Sequence, residues 1–113
     1  MAKLVDQYCS SDPDKAPRLR EAECEKWMSS LNQNWQLDLA QQEISRTFEF
    51  KNYYQTTAFA NSVFWIAHQQ NHHPDLTISY KYCAITYTTH SVKGLSINDF
   101  ICAARIDVLL KEA

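Results

Sequence analysis

The spacing of apolar residues along this chain switches between a helical and a strand-like period. Cys24, Trp27, Met28 and Leu31 fall at i, i+3, i+4 and i+7, the repeat of one helix face, and predict a helix over 18–33. Trp35, Leu37 and Leu39 then alternate with polar residues, as in a half-buried strand. Gln41 and Gln42 are expected in the turn that follows. Ile44, Phe48 and Phe50 line one face of a second strand, 44–50. Arg46 intrudes on that face and weakens the register.

Asn52 is a suitable N-cap for a long helix reaching Gln70. Phe59, Val63, Ile66 and Gln70 share one side of it, with Ala60 and Ala67 beside them. Asn71 and Pro74 end it, because proline disfavours helix in the residue before it. The stretch 76–89 is rich in Ile, Thr and Tyr. Its length predicts two strands joined tightly near Lys81. Gly94 is the only glycine and is expected in a turn that needs positive φ. Ser96 and Asp99 form an S-x-x-D start for a last helix, whose inner stripe is read as Ile97, Ile101, Ala104 and Val108. Trp35, Trp65, Phe48, Phe50 and Phe59 are read as core aromatics.

The predicted order is α-β-β-α-β-β-α. Hairpin-linked strands give a four-stranded antiparallel sheet, and three helices on one face make a two-layer α+β domain. The domain is expected over 18–113. Residues 1–17 are polar, carry Pro13 and Pro17, and read as a flexible arm. A small sheet with an uncovered edge predicts a homo-oligomer.

Composition narrows the function classes. With 113 residues, 45% of them apolar, the chain is long enough for one real core and too apolar for general disorder. The net charge of −2 argues against nucleic acid as a partner. No run is long and apolar enough for a membrane span or a secretory signal, so the expected location is the cytoplasm. Cys9, Cys24, Cys83 and Cys102 form no C-x-x-C pair and read as free thiols in a reducing compartment. A single glycine excludes a glycine-rich phosphate loop.

The chemistry gathers in the histidines. His68, His72 and His73 lie at the end of the second long helix, and His90 lies at a strand end. Helix ends and strand ends meet at one rim of a two-layer domain, so these imidazoles can share a pocket. Histidine suits proton transfer in both directions near neutrality. For His68 alone, a surface residue complementing the helix dipole explains as much. His68 and His72 also have the i, i+4 spacing of a zinc helix, but Gln69 stands where the H-E-x-x-H glutamate would be. Trp35, on a strand, is a core residue or a wall for a flat heterocycle.

His72-His73-Pro74, an aromatic at Tyr80, His90, Gly94-Leu95 and Asp99 resemble the signature of the pterin-4a-carbinolamine dehydratases. The run from His90 to Leu95 with Asn98-Asp99-Phe100 is similar to bacterial members. The likeness spans Leu19 to Leu110, with Trp35 fitting a first-strand tryptophan. His68 departs from it, since the family often has an acidic residue there. The resemblance implies a hydro-lyase that converts 4a-hydroxytetrahydropterin to quinonoid dihydropterin without metal or cofactor. It implies His72 and His90 as the acid–base pair and His73 as a binding group. Asp99 is either the orienting partner of His90 or merely the N-terminal acid of the last helix. Trp35 and Pro74 would contact the substrate. It further implies dimers or tetramers, and an aromatic amino-acid hydroxylase as the source of substrate. The competing readings are a non-enzymatic dimeric coregulator module and a zinc hydrolase.

Overall fold

The computed structural model describes residues 3–110. Residues 1–2 and 111–113, the outer limits of the expected arm and domain, lie outside the described residues. Three helices and four strands follow the predicted order: α1 (Glu21–Met28), β1 (Gln36–Asp38), β2 (Glu43–Glu49), α2 (Tyr53–Gln70), β3 (Asp75–Ile78), β4 (Tyr82–Tyr87) and α3 (Ile97–Leu109). The sheet is antiparallel throughout, in the order β1-β2-β4-β3. The last strand in sequence, β4, therefore lies inside, between β2 and β3.

The period-2 pattern sets which face meets the helices. Ile44 and Phe48 on β2, and Cys83, Ile85 and Tyr87 on β4, are buried and pack with Phe59, Val63, Phe100 and Ile106 in one core. The other face carries Ser45, Thr47, Thr77, Ala84 and Thr86. Phe59 of α2 packs against Phe48 and Phe50, with ring centroids 4.6 and 5.0 Å away.

Arg46 belongs to the inner face after all, and the register holds around it. Its guanidinium carbon lies 4.1 Å from the centre of the Phe48 ring. Its Nη1 donates to Asp107 Oδ1 at 2.9 Å. The same carboxylate accepts the Trp35 indole N–H at 2.7 Å and the Asn32 N–H at 2.9 Å. A charged side chain thus enters a largely apolar layer because α3 supplies its counter-charge.

Several expectations need correction. The first helix covers 21–28 rather than 18–33. Leu19 N–H bonds to the Leu95 carbonyl at 2.8 Å, so the residues before Arg20 run as extended chain. The apolar repeat persists beyond Met28 only as turns that bury Leu31. Gly94 does not have positive φ; the left-handed residue is Lys93, at 54°. A Cβ at this position would come within 2.7 Å of both Arg18 Nε and Gln42 Oε1, so any larger residue displaces those two side chains. Trp65 is 59% exposed and Val108 is 51% exposed, so neither belongs to the core. In their place α3 buries Asn98 through Ala104 and Ile106, because the chain ahead of α1 covers its outer side.

That chain makes specific contacts. Leu4 is buried in a 3-10 turn, Leu4–Asp6. Arg105 of α3 donates to the Gln7 carbonyl at 2.6 Å and lies over the Tyr8 ring. Cys9 Sγ sits 3.7 Å from Cys102 Sγ.

Two measurements follow. Asp107→Ala leaves Arg46, Trp35 Nε1 and Asn32 N without their acceptor; denaturant titration should show a loss of about 2–4 kcal/mol. Burial pushes the Cys24 and Cys83 thiols above their ordinary range, and hydrogen bonding to Cys9, then burial, does so for Cys102. These thiols stay protonated at neutral pH and react slowly. A thiol reagent should titrate Cys9 alone in the native protein and all four cysteines in denaturant.

Candidate active site

The long helix α2 starts where Asn52 Oδ1 accepts the Gln55 N–H at 2.9 Å. It stops at Asn71, which takes a left-handed conformation (φ 52°). Asparagine tolerates that conformation at a helix end. The next N–H, from His72, returns to the Ala67 carbonyl at 3.2 Å. His72 and His73 are thus thrown past the helix terminus, and Pro74 keeps the helix from resuming.

His90 is fixed from the other side. Beyond β4, Thr89 and Gly94 form an antiparallel bridge, with Thr89 N–H donating to the Gly94 carbonyl at 2.9 Å. Between them His90–Val92 is a single 3-10 turn. His72, His73 and His90 line one cleft of about 210 Å³, with Thr88, Thr89 and Asn98. His73 and His90 are exposed, whereas the His72 side chain is 12% exposed.

Asp99 links the two sides. It is fully buried. Its Oδ1 lies 2.7 Å from His72 Nε2. Its Oδ2 accepts the Thr89 hydroxyl at 2.7 Å and the Ser96 N–H at 2.9 Å. Thr89 has one hydroxyl proton and gives it to Asp99, so the Ser96 hydroxyl, 2.8 Å away, donates to Thr89. Ser96 Oγ then accepts the Asn98 N–H at 3.2 Å, completing the cap of α3.

The expectation that Asp99 faces His90 is therefore corrected: it faces His72. Its two oxygens are divided between the cleft and the helix: Oδ1 meets His72, and Oδ2 caps α3. An ionised carboxylate only accepts, so Nε2 carries the proton. Nδ1 has no hydrogen-bond partner among the described residues and is the free nitrogen of His72. The ring stacks on Tyr87 at 5.6 Å and 16°. Burial holds the Tyr87 hydroxyl far above its ordinary range, so this platform stays neutral.

Not every residue singled out in the sequence reaches the cleft. Trp35 is buried against Asp107, beside Arg46. Pro74 shapes the exit from α2 but is not part of the lining. His68 is exposed and stacked on Trp65. Tyr80 is 66% exposed in the β3–β4 turn, at the opposite end of β4 from His90. Among the described residues, no three His, Cys, Asp or Glu side chains are grouped to hold a metal ion. Thr89, Asn98 and the early residues Ser10, Ser11 and Pro13 line the cleft unannounced by any local pattern.

Comparison with known proteins gives the chain a family. Residues 17–109 match the family described as pterin 4 alpha carbinolamine dehydratase. The chain belongs to this dehydratase family. A relative from Nitrosomonas eutropha, provisionally named a pterin-4-alpha-carbinolamine dehydratase, is 52% identical over 95% of this chain and 93% of its own. One of the same provisional name from Legionella pneumophila is 42% identical over 95% of each. Among solved structures, a transcriptional coactivator/pterin dehydratase from Brucella melitensis superposes with a TM-score of 0.77 at 27% identity, over 81% of this chain and 97% of that one. A pterin dehydratase-like RuBisCO assembly factor of the alpha-carboxysome shares the fold, with a TM-score of 0.60 at 22% identity, over 71% and 93%. Dehydratases of this family are hydro-lyases.

The Asp99 network makes a spectroscopic and a thermodynamic prediction. Long-range ¹H–¹⁵N spectra should show neutral His72 as the Nε2–H tautomer. Asp99→Asn should disturb that signature. Asp99→Ala, which strands the Ser96 N–H, the Thr89 hydroxyl and His72, should cost about 3–5 kcal/mol in a denaturant titration.

Proposed function

We propose that the chain dehydrates a 4a-hydroxytetrahydropterin to the quinonoid dihydropterin by histidine general acid–base catalysis. The observation that carries this reading is the convergence of His72, His73 and His90 on one cleft, with His72 held by a buried carboxylate. The substrate carries a hydroxyl on C4a and a proton on the adjacent N5. As the C4a–O bond breaks, the hydroxyl takes a proton from an acid and leaves as water. The N5 proton passes to a base, and a C4a=N5 bond forms. One proton is given and one is taken, with no redox change.

Asp99 favours His72 as the base. It fixes the tautomer that leaves Nδ1 free, and it faces the ring when that ring becomes an imidazolium, as carboxylates do for catalytic histidines. His90, exposed on its short turn, is then the acid. His73 serves as a binding group. Neither a metal nor an organic cofactor has a step in this scheme. We extend the proposal to a cytoplasmic homo-oligomer supplied by an aromatic amino-acid hydroxylase. The fold is shared with an assembly factor, so the fold alone does not assign the activity.

The test is a dehydratase assay coupled to such a hydroxylase. His72→Ala and His90→Ala should each lower kcat about 10²–10⁴-fold in protein that circular dichroism shows to be folded at the assay temperature, with His72→Ala melting lower because it removes a partner of the buried Asp99. His73→Ala should raise KM, and His68→Ala should have little effect. Chelator treatment should leave the rate intact. Near-wild-type turnover in both folded variants, His72→Ala and His90→Ala, would falsify the mechanism.

A further inference from the structure

The family match starts at residue 17, yet the histidine cleft takes part of its wall from Ser10, Ser11, Pro13 and Ala16. This wall is built in. Asn98, 4% exposed, grips Ser10 through both backbone groups. Ser10 N–H donates to Asn98 Oδ1 at 3.1 Å, and Asn98 Nδ2 donates to the Ser10 carbonyl at 2.8 Å. A side-chain amide that pairs with both groups of one residue acts like a neighbouring strand. The second clamp is Gln70, 7% exposed, whose Oε1 accepts the Cys9 N–H at 2.8 Å. Downstream, the Asp12 carbonyl accepts the Lys15 and Ala16 N–H groups, and Asp12 Oδ1 accepts the Asp14 N–H. The segment therefore enters and leaves the cleft in a set conformation. Its anchors are the last residue of α2 and the first turn of α3, the elements that also present His72 and Asp99.

We infer that Ser10–Pro13 is a substrate-contacting wall of the active site and that Asn98 is the positioning residue that holds it there. The inference rests on the dehydratase reading. The ligand class it implies is the flat pterin ring, held with imidazoles on one side and the Ser10–Pro13 backbone on another. Because no group of this wall gives or takes a proton, it holds ground state and transition state alike. Its loss or obstruction should therefore act on KM rather than kcat.

The experiment is steady-state dehydratase kinetics on the full chain. Ser11 is exposed, so Ser11→Trp places bulk in the cleft without entering the core. It should raise KM about 10-fold or more with kcat within about 3-fold. Asp14→Trp, on the same segment but outside the cleft lining, should change neither. Asn98→Leu should raise KM while kcat holds, and it should expose the early segment to limited proteolysis that the wild type resists. In the Asn98→Leu background, Ser11→Trp should lose most of its added effect, since a released wall cannot block. Should Asn98→Leu fail to fold, Asn98→Asp keeps Oδ1, removes the donor to Ser10, and should raise KM in the same sense. An active wild type whose KM ignores Ser11→Trp, or folded Asn98 variants with unchanged KM, overturns this inference alone. An inactive wild type overturns it together with the dehydratase reading.

Discussion

A carboxylate with no exposure to solvent organises one end of this protein. Removing Asp99 from water costs several kcal/mol unless its oxygens are satisfied, and three donors from three different places satisfy them. His72 comes from the exit of α2, Thr89 from the exit of β4, and the Ser96 N–H from the start of α3. None can be moved without stranding the charge. The cost of burial is thereby turned into geometry: the end of a helix, the end of a strand and the start of another helix are locked together, and two of these ends carry the histidines. Thr89 immediately precedes His90, so the bond to Oδ2 anchors the backbone from which the second imidazole projects.

The other end of the core repeats the principle with a different aim. Asp107, two turns along α3 from Asp99, gathers Arg46, Trp35 and Asn32. Here the network joins β2 and the chain before β1 to α3. It makes no contact with a histidine and ties the helix layer to the sheet. Helix α3 thus bears an acidic group at each end of its buried face, one serving the site and one serving the layer packing. This explains why a helix so thoroughly buried is not uniformly apolar. It also explains why Trp35, matched by resemblance to a site residue, is occupied elsewhere.

The proposed chemistry suits such a scaffold. Dehydration needs one proton delivered and one removed at adjacent atoms, which demands placement more than reactivity. Imidazoles projecting from the ends of regular elements gain that placement without loss of access. His73 and His90 remain exposed, while His72 is oriented from behind by Asp99 and from below by the neutral Tyr87 ring. A segment ahead of α1, clamped by Asn98, completes the enclosure.

The local periodicities determined much by themselves. Period 2 and period 3.6 are properties of short windows, so the order of helices and strands, the cap at Asn52, the S-x-x-D start at Ser96 and the stop at Asn71–Pro74 were legible, as was the gathering of histidines at one rim. Tertiary structure decided whatever depends on residues far apart in the chain. Arg46 looked like an interruption because its counter-charge lies 61 positions away. Gly94 looked like a residue of positive φ, whereas what distinguishes its place is that Arg18 and Gln42 side chains fill the space a Cβ would take. Asp99 could be matched with the wrong histidine because His90 is nearer in sequence, while His72 is 27 residues away and nearer in space. The early residues carry little apolar pattern; what orders them is buried amide groups on α2 and α3, and hydrogen bonds of that kind leave no periodicity to read.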